Sequence, residues 1–119
     1  MMVSVGDEHV DVELLVVPDC PNASGAHDLL RSCLRDAGLA STPVRVSVID
    51  SERAAEQRGF VGSPTILIDG VDPFAEAGQQ PALACRVYPG PAGPSGLPPA
   101  DRVRTALVNA ASTSRPEMP

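Results

Sequence analysis

The sequence predicts an α/β protein in which strands and helices alternate along the chain. Residues 12–17 form an apolar, β-branched run that ends at Pro18, which is typical of a buried strand. An amphipathic helical pattern follows, and residues 44–49 form a second β-branched run. A strand, a helix and another strand in this order predict a parallel strand pair joined by a right-handed crossover.

The length and charge of the chain limit its classes of function. Its 119 residues suffice for one modest hydrophobic core, so we expect one domain. The formal net charge is −6 and no basic cluster is present, so we expect no nucleic-acid partner. No stretch approaches the roughly 18 apolar residues of a transmembrane helix, and we find no signal-peptide pattern. We therefore expect no membrane partner and a cytoplasmic location.

The cysteines favour thiol chemistry over a structural role. There are three of them, and an odd number without disulfide-framework spacing indicates reactive thiols in a reducing compartment. All nine basic residues are arginine, which together with the many Ala, Gly and Pro residues is typical of a GC-rich bacterial genome. We expect no cofactor.

Cys20 stands between the first strand and the first helical pattern, and it is the predicted nucleophile. It fits the N-cap position of that helix, with Pro21 at the first helical position, where a missing N–H costs nothing. The positive end of the helix dipole favours the thiolate form of Cys20, whereas the carboxylate of Asp19 opposes it. Cys33 lies on the apolar stripe of the same helix and is expected to be a buried core residue.

The later segments predict further elements in the order helix, strand, strand, helix. Ser51 is a cap residue for a short helix over residues 52–58 that Gly59 closes. Pro64 precedes a strand over residues 65–68, and residues 84–88 form a short edge strand. A final helix is expected over residues 101–111.

Four segments without regular secondary structure are expected around and between these elements. Residues 1–11 form a lead-in to a domain over residues 12–111, and residues 112–119 form a flexible tail. Within the domain, residues 70–84 form an inserted loop with Phe74 as its anchor, and residues 89–99 form a crossover with five Pro and three Gly.

The order of these motifs resembles the thioredoxin fold over about residues 13–87. The resemblance rests on a strand, a Cys-Pro turn into a helix, a second strand, a short helix and a Gly-Ser-Pro-Thr turn before a strand. It implies a four-stranded mixed sheet with flanking helices in the order βαβαββα, and a cis peptide bond before Pro64. It also implies that Cys20 is the nucleophile and that an incoming thiol-bearing chain pairs with the Pro64 loop. The substrate-binding residues would then be Pro21, Asn22, Ser63, Pro64 and Thr65.

One position departs from that family. Its C-x-x-C motif reads Cys20-Pro21-Asn22-Ala23 here, so dithiol exchange within the motif is impossible. Cys85 is the predicted second thiol, because a last strand beside the Pro64 strand would bring it toward Cys20. An inert strand cysteine is the alternative at this position, with Arg86 on the opposite face. A small thiol could instead resolve the mixed disulfide, as in monothiol glutaredoxin-type mechanisms.

A second resemblance suggests a different reaction. Small bacterial thioredoxin-like proteins grouped with the alkylmercury (organomercurial) lyases have a similar Cys-Pro-Asn turn, Asp-Pro-Phe segment and Ala-Cys-Arg-Val-Tyr strand. The resemblance implies a lyase in which Cys20 and Cys85 capture mercury. Because Ala23 occupies the position of the motif aspartate, Asp19, Asp69 or Asp72 would have to supply the acid.

The expected partners are therefore a small thiol, an organometal or a thiol-bearing protein. No resident metal is predicted, although Cys20 and Cys85 could act as soft-metal ligands. A non-catalytic binding or accessory protein that uses the Pro64 loop is the third alternative. The sequence leaves the oligomeric state open.

Overall fold

A computed structural model describes residues 10–114 of the chain. Residues 1–9 of the expected lead-in and residues 115–119 of the expected tail lie outside the described residues. The elements are, in chain order, β1 (Val12–Val16), α1 (Ala23–Asp36), β2 (Val44–Val48), α2 (Glu52–Arg58), β3 (Thr65–Ile68) and α3 (Ala100–Ser114).

The sheet has three strands in the order β2-β1-β3. β1 and β2 are parallel, with Val12 opposite Val44, as the strand–helix–strand pattern predicts. β1 and β3 are antiparallel, with Leu15 opposite Thr65. The carboxyl end of β1 and the amino end of β3 therefore lie at the same end of the sheet.

The predicted four-stranded sheet is wrong, because residues 84–88 form no strand in the described part of the chain. Cys85 makes an isolated parallel bridge with Ser63, in the loop that precedes β3. The next residue on that side is Pro64, which has no N–H to extend a ladder. The Tyr88 N–H donates to Ser95 O at 2.7 Å, and the Ser95 N–H donates to Tyr88 O at 2.9 Å. The backbone of Tyr88 therefore pairs with Ser95 and not with the sheet. The protein is thus a small α/β domain with a three-stranded mixed sheet.

The two faces of the sheet bury two separate apolar clusters. The larger cluster joins one face to α1 and α3 and includes Leu14, Leu30, Ile66 and Leu107. The smaller cluster lies on the other face and consists of Leu15, Ile49, Ala55 and Phe60. Val10 is fully buried in the larger cluster, so the last part of the expected lead-in belongs to the core.

The helix boundaries agree with the sequence pattern except at two ends. Ser51 Oγ accepts a 3.1 Å hydrogen bond from the N–H of Ala54 and starts α2, and Gly59 ends α2 in the left-handed region. Gly38 follows α1 with φ 79°, and a 2.7 Å bond from Leu39 N–H to Leu34 O completes a Schellman-type end.

The two exceptions are the start of α1 and the length of α3. The N-cap of α1 is Asn22 and not Cys20, so Pro21 precedes the helix. α3 continues to Ser114, beyond the predicted end at Ala111. Among the described residues, no helix is long and apolar enough to cross a membrane.

Candidate thiol site

The Ser63 hydroxyl ties the turn before β3 to the end of β1. Ser63 is fully buried, and its Oγ accepts a 3.0 Å hydrogen bond from the backbone N–H of Val17. Val17 is the first residue after β1 and stands three residues before Cys20. This bond therefore holds the Cys20 turn against the Pro64 turn. The Ser63–Pro64 peptide bond is cis, as the resemblance implied.

The backbone of Ser63 holds the segment that carries Cys85. The Ser63 N–H donates to Ala84 O at 2.7 Å, and Ser63 O accepts from the Arg86 N–H at 2.9 Å. Cys85 lies between these two bonds, in register with Ser63. An incoming chain that used the same Ser63 groups would have to displace this segment.

These contacts bring three distant parts of the sequence to one end of the sheet. Ser63 lies between the other two segments, because it bonds Val17 through its hydroxyl and the Cys85 segment through its backbone. Cys20 is partly buried against the larger core cluster, and Cys85 is exposed. Neither is in a disulfide bond.

Cys33 differs from the other two thiols and lies in the core, as predicted. Its side chain is 1% exposed, and Sγ lies 3.5 Å from Ala100 O. Burial raises the pKa of the Cys33 thiol, because the interior disfavours the thiolate. Cys33 therefore serves as the unreactive reference thiol of the molecule.

The surroundings of Cys20 are a turn and not a helix cap. Asp19 has a left-handed backbone with φ 58°, and Cys20 O accepts a 3.2 Å bond from the Ala23 N–H. Because the helix begins at Ala23, Cys20 precedes the N-cap residue by two positions. The influence of the helix dipole on Cys20 is therefore weaker than an N-cap position would give, since it decays within one turn.

The predicted substrate-binding residues fall into two groups. Pro21 is exposed and Asn22 is half-buried, so both are accessible beside Cys20. Ser63, Pro64 and Thr65 are buried. The Thr65 hydroxyl donates a 2.5 Å bond to Gly62 O. In this conformation the second group holds the Pro64 turn and presents no side chain to a substrate.

The sequence did not reveal the main support of that turn, which is Arg86. This side chain is 5% exposed and forms a 2.8 Å ion pair with Asp72. The nitrogen that pairs with Asp72, Nη1, also donates to Thr65 Oγ1 at 3.3 Å, and the other nitrogen, Nη2, donates to Phe74 O at 2.8 Å. In the sequence, the only indication of this ion pair was an acidic residue in the inserted loop and a basic residue in the following segment. That pattern is too common to identify a pair.

An aromatic pair completes this support. The Tyr88 hydroxyl donates a 2.5 Å bond to Pro64 O, and the Tyr88 ring lies 4.6 Å from the Arg86 guanidinium carbon. Phe74 meets Tyr88 edge-to-face with ring centroids 5.3 Å apart, so Phe74 anchors the inserted loop as predicted. Phe74, Tyr88 and Arg102 line part of a small pocket of about 110 Å³.

The crossover segment closes over the start of α1. A side chain at Gly96 would collide with Asn22, and a Cβ on Gly25 would lie 3.3 Å from Leu97. Leu97 itself packs on the larger core cluster. The crossover therefore forms one wall beside the turn that carries Cys20.

The three carboxylates considered as a lyase acid lie in different places. Asp69 accepts a 2.8 Å bond from the Asp11 N–H, at the opposite end of the sheet from Cys20. Asp72 forms the buried ion pair with Arg86. Asp19 is exposed and adjoins Cys20 in the chain, so it alone of the three is near the candidate nucleophile.

Together these features define a small α/β domain with two accessible thiols at one end of its sheet. Comparisons with protein-family models, with curated proteins and with solved structures found no match to this chain. Among residues 10–114, no group of three or more His, Cys, Asp or Glu side chains could hold a metal ion.

Proposed function

We propose that this protein performs cytoplasmic thiol–disulfide chemistry of the thioredoxin-like kind, with Cys20 as the nucleophile and Cys85 as the second thiol. The observation that carries the proposal is the chain of contacts from Val17 through Ser63 to Cys85. It places two accessible thiols, which are 65 positions apart in the sequence, at one end of the sheet. The expected substrates are small disulfides or disulfide-bearing proteins.

The reaction would proceed in two exchange steps. The Cys20 thiolate attacks one sulfur of the substrate disulfide, forms a mixed disulfide and releases the other sulfur as a thiol. The Cys85 thiolate then attacks the Cys20 sulfur, forms a Cys20–Cys85 disulfide and releases the second substrate thiol. The substrate is reduced, the two cysteines are oxidised, and an external thiol returns them to the reduced state.

The position of Cys85 supports its role in the second step. Its segment is held to Ser63 by two backbone bonds, and its side chain is exposed. Movement of this segment would deliver the Cys85 thiol toward Cys20 and would also free the Ser63 backbone groups. Disulfide formation needs α-carbons about 4.4–6.8 Å apart, so this movement is the geometric requirement of the mechanism.

The lyase alternative has less support from the contacts around the thiols. Two of its three candidate acids have other partners: Asp69 accepts a hydrogen bond from the Asp11 N–H, and Asp72 forms an ion pair with Arg86. Asp19 remains as the only one beside Cys20. We therefore place thiol–disulfide exchange first.

Mass spectrometry after exposure to a small disulfide tests the proposal. The reduced wild type should gain a Cys20–Cys85 disulfide. Cys85→Ser should instead accumulate a mixed disulfide on Cys20, at least tenfold above wild type. Cys20→Ser should form neither species, and Cys33→Ser is the matched control that should behave like wild type.

Three results would contradict this function. One is a Cys20 that reacts no faster than buried Cys33, which would favour the non-catalytic binding role. Another is a Cys85→Ser variant that behaves like wild type. The third is stoichiometric release of hydrocarbon from an organomercurial compound, lost in Cys20→Ser, which would favour the lyase.

A further inference from the structure

The side chain of Arg86 holds the segment that carries Cys85 to two other parts of the chain. Its guanidinium forms the 2.8 Å ion pair with Asp72 in the inserted loop, and it also donates to Phe74 O at 2.8 Å. The same side chain donates to Thr65 Oγ1 at 3.3 Å, at the start of β3. Because Arg86 directly follows Cys85, a displacement of Cys85 pulls on all three contacts.

Asp72 orders the inserted loop as well as binding Arg86. Its Oδ2 pairs with Arg86, and its Oδ1 accepts a 2.9 Å hydrogen bond from the Phe74 N–H. The Phe74 ring lies edge-to-face on Tyr88, whose hydroxyl bonds Pro64 O. One carboxylate therefore contributes to the order of the inserted loop and of the segment that follows it.

Ser63 separates Cys85 from Cys20. Its hydroxyl bonds the Val17 N–H before the Cys20 turn, and its backbone N–H and C=O bond the residues on either side of Cys85. The α-carbons of a disulfide are about as close as those of neighbours in register on adjacent strands. The neighbour in register with Cys85 is Ser63, so Cys85 has to leave Ser63 to approach Cys20.

We propose that the Asp72–Arg86 ion pair depends on the redox state of the protein: it is closed while Cys20 and Cys85 are thiols and opens when they form a disulfide. Oxidation would then release the inserted loop over residues 70–84. This inference rests on the proposed function, because the disulfide is the product of its second exchange step.

The ion pair takes no part in the electron transfer. The Cys85 thiol gives its proton to water, its thiolate attacks the Cys20 sulfur of the mixed disulfide, and the substrate sulfur leaves as a thiolate. Over both steps the two cysteines lose two electrons to the substrate disulfide. The ion pair acts only through the position of Cys85.

The ion pair and the disulfide oppose each other energetically. Moving Cys85 toward Cys20 separates Arg86 from Asp72 and returns both charges to water. The free energy that the ion pair adds to the reduced form is therefore a cost that the disulfide has to overcome. If Asp72 is neutral, Arg86 loses its carboxylate partner while it is still buried in the reduced form. The reduced form is then destabilised relative to the oxidised one.

The redox equilibrium with a glutathione buffer tests this coupling. Asp72→Asn keeps the shape of the side chain and removes its charge. The equilibrium constant for formation of the Cys20–Cys85 disulfide, measured by alkylation and mass spectrometry, should therefore rise at least tenfold over wild type. Glu76→Gln is the matched control, because Glu76 is an exposed carboxylate of the same loop. Its constant should equal that of wild type.

Amide hydrogen exchange tests the release of the loop in the wild-type chain. The Phe74 N–H, which is bonded to Asp72 Oδ1, should exchange at least tenfold faster in the oxidised protein than in the reduced protein. Amides of α1 should exchange no faster, since the fold itself stays intact. Cys85→Ser with a mixed disulfide on Cys20 is the control for oxidation of Cys20 alone. Its Phe74 amide should exchange as in the reduced protein.

Failure of this inference and failure of the proposed function give different results. A wild type that forms no Cys20–Cys85 disulfide would refute both. If the disulfide forms, an Asp72→Asn constant no higher than that of wild type would refute the coupling alone. Equal exchange of the Phe74 amide in the oxidised and reduced wild type would do the same, and this measurement decides if Asp72→Asn does not fold.

Discussion

Arg86 and Asp72 form a 2.8 Å ion pair whose side chains are 5% and 13% exposed. The pair joins the inserted loop to the segment that carries Cys85, and neither of these segments contains a helix or a strand. A buried charge that loses its partner is costly, because water no longer compensates it.

We expect Arg86→Met to destabilise the fold by about 3–5 kcal/mol, since it leaves the Asp72 carboxylate without a buried partner. The free energy of unfolding from urea titration measures this effect. Arg102→Met is the control, because Arg102 also lies over an aromatic ring, 5.2 Å from the Phe74 centroid, but is exposed. Its cost should stay below about 1 kcal/mol. Equal losses in the two variants would contradict the importance of the ion pair.

Gly62 cannot carry a side chain. A Cβ there would lie 2.8 Å from the Cβ of Arg86, and the backbone has φ 140°. We expect Gly62→Ala to destabilise the fold by about 3 kcal/mol or more, from overpacking together with backbone strain. Gly70→Ala provides the comparison, because φ is 81° there but no atom lies within 4 Å. It should cost about 1–2 kcal/mol in the same urea titration. A Gly62→Ala protein as stable as Gly70→Ala would refute the steric argument.

The pH dependence of stability should reflect Glu13. Burial raises the pKa of this carboxyl, but hydrogen bonds from Ser47 and Arg58 and the charges of Arg58 and Arg45 outweigh burial and lower it. A lowered folded-state pKa gives stability that is present above the unfolded-state pKa and is lost as pH falls through the folded-state value.

Glu13→Gln should therefore cost about 1–3 kcal/mol at pH 7. This deficit relative to wild type should shrink as the pH falls below about 4.3, the ordinary pKa of a glutamate. Thermal midpoints of both proteins over this pH range measure the difference. Glu56→Gln alters an exposed carboxyl of α2 and should show no such trend. A deficit that is independent of pH would mean that the Glu13 charge is unimportant.

Tyr88 offers a spectroscopic test, because it is the only tyrosine in the sequence. Burial raises its pKa, since the phenolate would have to form inside the protein. The phenolate absorbance should therefore appear only well above pH 10 and should coincide with alkaline unfolding. The neutral phenol contributes stability below the unfolded-state pKa of about 10, and this contribution is lost as the pH rises further.

Tyr88→Phe removes the hydrogen bond to Pro64 O and should cost about 1–3 kcal/mol at neutral pH, because that buried carbonyl loses its donor. Its stability relative to wild type should recover above pH 10. Reversible ionisation of Tyr88 in the folded protein near pH 10, seen by absorbance, would show that the side chain is accessible to water.

The elements with a strong local pattern were predictable from the sequence. The apolar, β-branched run of β1, the amphipathic stripe of α1 and the cap residues of α2 are local features of the sequence, and the element that each predicts is present in the structure. The burial of Cys33 followed from its place on the stripe. These features are set by periodicity and capping, which a sequence shows directly.

The segment around Cys85 was not predictable in the same way. Cys85 and Val87 are exposed, whereas Arg86 and Tyr88 are buried. This is the alternation typical of a strand, but the segment forms only an isolated bridge and no continuous ladder of hydrogen bonds. What decides the outcome is non-local: Pro64 on the neighbouring segment lacks a donor, and Ser95 takes both backbone bonds of Tyr88. The N-cap of α1 was predicted two residues early, at Cys20, whereas it is Asn22, whose side chain lies against Gly96 far along the chain.

The contact of Leu97 with Gly25 limits how the crossover can evolve. Between this contact and the first residue of α3, Ala100, the chain has only two prolines, so a deletion or insertion there would pull Leu97 out of its place on the core. The stretch around Gly90 and Gly93 closes on itself through a 3.0 Å backbone bond and can change length without that penalty. Variation in length among descendants of this chain should therefore accumulate at the tip of the crossover and avoid its second half.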